Sequence, residues 1–180
     1  MLSLAFDRAI ILGLAKKNPA RMVGNIKYKK VKVDFWTLEE FQKVISLLYK
    51  GDYYEHYLFI CFWLLFTTGL RIGEAAALQW DDIDFESGLL SVTKTLYYKS
   101  MNEYKFVDPK TSASIRTVVL DEDTIRELKD WREVQKKVLK DCNFVLSYSG
   151  IPTSKHTLPR ALEKLAGLAG VHRIKIHALR

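Results

Sequence analysis

Apolar residues recur at helical spacing along most of the chain. Phe41, Val44, Ile45 and Leu48 lie on one stripe, and Thr37 with Glu40 just before them fits a capping box. Residues 2–15 are mostly apolar and predict a helix that stops at Asn18-Pro19, a breaker signal. Tyr53 to Thr68 is apolar nearly all round, which predicts a buried central helix broken at Thr68-Gly69. A short alanine-rich helix follows from Arg71 to Leu78, then a turn at Ser87-Gly88. Leu90 to Thr93 and Ser114 to Leu120 have β character. A charged, tyrosine-rich stretch lies between them, so two or three antiparallel strands are expected, with Tyr97, Tyr98 and Tyr104 marking a hairpin. Asp121 to Lys140 reads as a long amphipathic helix with acids in its first turn and lysines in its last. Phe144 to Leu146 is a short buried segment, and a turn follows at Ser149 to Pro152. Thr153 or Ser154 should cap one more helix, running to about Leu168 and closed by Gly170. The expected fold class is mainly α with a small antiparallel β-sheet (α+β). Trp63, Trp80 and Trp131 are expected in its core.

The chain has 180 residues, 48% hydrophobic and 27% charged, which fits a folded domain and argues against disorder. Its net charge is +7, and the charge is uneven. Residues 15–33 hold Lys16, Lys17, Arg21, Lys27, Lys29, Lys30 and Lys32 with no acid. A basic, extended linker of this kind suits a phosphate backbone, although solubility alone would also explain it. Cys61 and Cys142 give neither a disulfide framework nor a zinc pattern. The longest apolar run, Tyr57 to Leu70, falls short of a membrane span, and no secretory signal is evident. A soluble, cytoplasmic protein without membrane contact is the expectation.

Glycine-rich phosphate loops, HExxH and Gly-x-Ser-x-Gly are absent, and the four histidines have no metal spacing. Three other pieces stand out in order: Thr68-Gly69-Leu70-Arg71-x-Gly73-Glu74, then Lys110-Thr111 ahead of Ser114-x-Arg116, then His177-x-x-Arg180. With these pieces, in this order and spacing, the chain resembles the tyrosine recombinase (phage-type integrase) family. The resemblance runs from about Val33 to Arg180. It implies an incomplete catalytic domain over 35–180, a basic linker over 18–34, and in 1–17 the end of a preceding core-binding helix. It also implies a DNA strand-cleaving and rejoining enzyme that needs neither cofactor nor metal, acts on double-stranded DNA and assembles as a tetramer on it. Carried over, the catalytic set is Arg71, Lys110, His177 and Arg180, with Glu74 supporting Arg71. Lys27, Lys29, Lys30, Lys32, Lys94, Arg116 and Arg160 are the expected DNA contacts.

These residue types suit the chemistry. A phosphodiester passing through a five-coordinate state gathers negative charge on its non-bridging oxygens, and two guanidiniums can clamp them. A lysine whose pKa is lowered by neighbouring cations can protonate the leaving oxygen, and a histidine can hold the nucleophile's proton. Covalent capture conserves the bond energy for rejoining.

Simpler readings stand beside these. Arg71 could merely pair with Glu74 one helical turn away. Lys110 follows Pro109 in an expected hairpin turn, where a lysine is usually just solvated, and Lys94 on the preceding strand is its rival. His177 and Arg180, three apart, would share one face of a helix. In the family the attacking tyrosine follows the HxxR arginine, and none of the nine tyrosines here does. A truncated form, unable to cleave alone and with an exposed apolar patch, is therefore expected. The alternatives are a non-catalytic DNA-binding or regulatory module on the same scaffold, and a basic helical domain with no DNA role.

Overall fold

A computed structural model describes residues 2–24, 34–99, 103–108, 114–154 and 156–179. The chain divides into two compact units, Met1–Val33 and Asp34–Arg180. The first holds α1 (Leu2–Ile11) and α2 (Pro19–Val23). Asn18 joins them: its amide nitrogen donates to Asp7 Oδ1 at 2.7 Å and to the Ser3 carbonyl at 2.9 Å. The same side chain caps α2, with Pro19 at the first helical position. Asn-Pro, expected only to stop a helix, thus also starts one, because proline lacks an N–H exactly where a helix needs none. The expected linker over 18–34 therefore opens with a helical turn.

The second unit begins with α3 (Leu38–Ile45). The Thr37 hydroxyl accepts from the Glu40 amide at 3.3 Å, and the Glu40 carboxylate accepts from the Thr37 amide at 2.9 Å, completing the predicted capping box. α4 (Tyr53–Thr68) is capped by Asp52 and runs through the core, with Ile60, Cys61, Phe62 and Leu64 fully buried. Each such side chain removed from water contributes about 2 kcal/mol. Against α4 pack α3, α5 (Ile72–Ala77), α6 (Glu122–Val138) and α7 (Thr157–Ala169). Trp131 of α6 is fully buried and its indole N–H donates to the Val145 carbonyl at 2.8 Å. Trp80 is buried too and donates to Gln135, whereas Trp63 is only partly covered. These bonds satisfy polar edges that would otherwise be costly inside a core.

Among the described residues the β structure forms two antiparallel sheets. β1 (Ile83–Asp84), β2 (Leu89–Val92) and β5 (Arg116–Val119) make one, in the order β1-β2-β5, with Val92 opposite Arg116. β3 (Thr95–Tyr98) and β4 (Tyr104–Val107) make the other. The tyrosine-rich stretch is therefore itself a hairpin nested between two paired strands. Tyr98 and Tyr104 pack together, and the Tyr98 hydroxyl donates to the carbonyls of Pro152 and Thr153.

Two sequence expectations are corrected after α6. Neither Thr153 nor Ser154 is the N-cap of the next helix, which starts at Thr157 with His156 at its N-cap; the Ser154 hydroxyl accepts only from the His156 N–H, at 3.4 Å. Thr153 is buried, and its hydroxyl donates to the nearby Leu146 carbonyl and accepts from the hydroxyl of Tyr57, 96 positions away in sequence. The stretch around His177 is a single 3-10 turn, Ile176–Ala178, within the described residues, packed beside α7.

Candidate active site

The Thr68–Glu74 motif is built step by step. Gly69 takes a left-handed conformation, φ +62°, which turns the chain out of α4 where other residues would be strained. Leu70 then inserts into the core at 1% exposure. That anchor fixes the next residue, Arg71, at the mouth of α5, with a side chain 57% exposed. Gly73 lets α5 lie against β3: a Cβ at this position would sit 2.6 Å from the Thr95 Oγ1. Glu74 is 6% exposed and folds back over the start of α5.

Glu74 is the centre of the arrangement. Its Oε1 accepts from Arg71 Nη1 at 2.8 Å. Its Oε2 accepts from the Arg71 backbone N–H at 2.8 Å and from Arg116 Nη2 at 2.9 Å. One buried carboxylate therefore joins two guanidiniums from distant parts of the chain, leaving the trio with net positive charge. Burial on its own would raise the Glu74 pKa, but the bonds from Arg116 and Arg71 outweigh it and hold the carboxyl below the ordinary range. The simple Arg71–Glu74 pairing exists, and it coexists with an exposed Arg71. The link to Arg116 was not visible in the sequence, where 42 positions separate it from Glu74. The only hint was its place in the Ser114-x-Arg116 motif.

Lys94 lies between β2 and β3. Its ammonium donates to Gln79 Oε1 at 2.7 Å and pairs with Asp82 at 2.8 Å. Contact with DNA would require that pairing to open. Arg160 is exposed on α7. Together with Lys164 it borders an open groove floored by Leu48, Leu58 and Leu165. His177 is exposed on its 3-10 turn, while Leu179, two residues on, is 3% exposed and locked into the core. The structure thus brings Arg71, Glu74 and Arg116 together and sets His177 on a separate, core-anchored element. Lys27, Lys29, Lys30, Lys32, Lys110 and Arg180 lie outside the described residues. Among the described residues, no group of three or more His, Cys, Asp or Glu side chains could hold a metal. No described helix is long and apolar enough to cross a membrane.

Comparison with known proteins bears on the family and the fold. The ICEBs1 integrase of Bacillus subtilis is 30% identical over 187 residues, covering 99% of this chain and 50% of that protein. A tyrosine recombinase XerC-like protein of Caldanaerobacter subterraneus is 32% identical, covering 97% of this chain and 50% of its own length. The chain therefore spans about half the length of these curated relatives. Among solved structures, the Tn1549 transposon integrase in complex with transposon right end DNA superposes with a TM-score of 0.77 at 22% identity, covering 98% of this chain and 60% of that one. A lambda integrase dimer bound to a COC' core site gives 0.63 at 20% identity, covering 99% and 60%. These two likenesses support the α+β fold. The phage integrase family matches residues 35–180, and on that match, together with the relatives at 30% identity or more, the chain belongs to the phage integrase (tyrosine recombinase) family.

Proposed function

We propose that this chain forms the phosphate-holding part of a site-specific DNA recombinase, which cleaves and rejoins duplex DNA through a 3′-phosphotyrosyl intermediate. The observation that carries this reading is the exposed Arg71 guanidinium, fixed between the Leu70 anchor and the buried Glu74 carboxylate. In the reaction, a tyrosine oxygen attacks the scissile phosphorus and the bond to the 5′ oxygen breaks. Arg71 and Arg180 would bind the non-bridging oxygens, stabilising the charge that grows there. Lys110 would give its proton to the departing 5′ oxygen, and His177 would hold the proton of the attacking tyrosine. Lys27, Lys29, Lys30, Lys32 and Arg160 would contact the DNA backbone, and Lys94 would join them if its pair with Asp82 opens. Copies of the whole protein would assemble as a tetramer on paired DNA.

The test uses the protein carrying this domain together with its nucleophile and a nicked duplex substrate. Arg71→Ala should lower cleavage by about 10²–10³, with only a modest loss of DNA affinity. Normal cleavage by that variant would mean that the pocket lies elsewhere. DNA binding without cleavage by the unaltered protein would instead support the binding-module reading. The 180 residues on their own should leave no protein–DNA band that survives SDS, because no tyrosine follows His177 in them.

A further inference from the structure

We propose that Arg116 is a positioning residue for Arg71: by keeping hold of Glu74, it frees the Arg71 guanidinium to leave that carboxylate for a DNA phosphate. This rests on the reading of Arg71 given above and gives Arg116 a role other than direct contact with DNA.

The geometry shows what each arginine does. When the Arg71 side chain swings away, only Glu74 Oε1 loses its partner. Oε2 keeps the Arg71 backbone N–H and Arg116 Nη2. The buried carboxylate thus remains hydrogen-bonded and neutralised. Without Arg116, Arg71 would be its only cationic side-chain partner among the described residues. A buried charge stripped of its partner is strongly unfavourable, so Glu74 would then compete with phosphate for Arg71. Exposure supports the division: the Arg71 side chain is 57% exposed and has room to move, whereas that of Arg116 is 31% exposed. Of the bonds that hold the Glu74 carboxyl down against burial, the one from Arg116 is the strongest influence. Arg116 also opens β5, the strand leading out of the segment that carries Lys110. The bridge therefore ties the base of that segment to α5.

The test is binding of this chain to a short fluorescent duplex, followed by anisotropy at fixed salt. Arg71→Ala and Arg116→Ala should each weaken binding about five- to tenfold, the scale of one lost phosphate contact. Adding Glu74→Gln to Arg116→Ala should restore affinity to within about twofold of the unaltered chain, because the competing charge is gone. Glu74→Gln alone should change affinity less than about twofold, since Arg116 already neutralises that carboxylate. Thermal unfolding checks each variant, and Arg116→Gln replaces Arg116→Ala if the latter does not fold. Binding by the Arg116 variant equal to the unaltered chain would overturn the inference. So would failure of Glu74→Gln to rescue it, which would mark Arg116 as a direct contact or a brace. Equal gains from Glu74→Gln in both backgrounds would also overturn it, as a non-specific charge effect. If Arg71→Ala binds like the unaltered chain, it is the reading of the pocket that fails, whatever Arg116 does.

Discussion

Glu74 and His56 are two buried titratable groups with opposite support. Glu74 is surrounded by donors. His56 is 4% exposed between Trp131 and Phe59, and neither ring nitrogen has a hydrogen-bond partner. Burial, with Lys50 nearby, pushes its pKa below the ordinary 6.5, against the weaker pull of Glu127 and Asp130. Both shifts make the folded state bind fewer protons than the unfolded one, so both favour folding at higher pH. The His56 contribution should be complete above pH 6.5 and decline as pH falls below it. The Glu74 contribution should be lost further down, as pH drops from 4.5 through the lowered value. In urea titrations across pH, His56→Phe should flatten the first decline and leave the second. A variant with an unchanged profile would show that His56 does not titrate with folding. Glu74→Ala should cost about 2 kcal/mol at neutral pH, since it strips charged hydrogen bonds from two arginines.

At the scale of elements, the close approach of α5 to β3 makes a context-dependent prediction. Gly73→Ala gains up to about 1 kcal/mol of helix propensity but drives a methyl into the Thr95 hydroxyl. In a Thr95→Ala background only the gain remains. Thermal unfolding should therefore show Gly73→Ala stabilising there and not in the unaltered chain. Equal effects in both would mean that α5 shifts freely. Elements set by neighbours in sequence were legible beforehand. The Thr37–Glu40 box, and α4 up to its break at Gly69, needed only spacing and cap chemistry. Features made by distant partners were not legible. Thr153 looked like a helix cap until Tyr57 and Leu146 claimed its hydroxyl. The carboxylate at 74 suggested one arginine partner, and folding supplied a second across β5. Motif order pointed to Arg71 and His177, but not to the 3-10 turn that carries the histidine.

For the whole molecule, the +7 charge and its concentration in residues 15–33 make salt the most direct probe. DNA affinity should fall steeply between low and moderate salt as bound counterions are released. Affinity that stays flat over that range would count against DNA as the partner. The described part of the fold also shows how the site could tolerate change. Leu179 lies two residues after the exposed His177 and is itself sunk into the core. A single greasy peg thus sets the reach of a histidine it never touches chemically. Shortening the peg, as in Leu179→Ala, should loosen the turn that carries His177 while leaving every charged group in the chain intact.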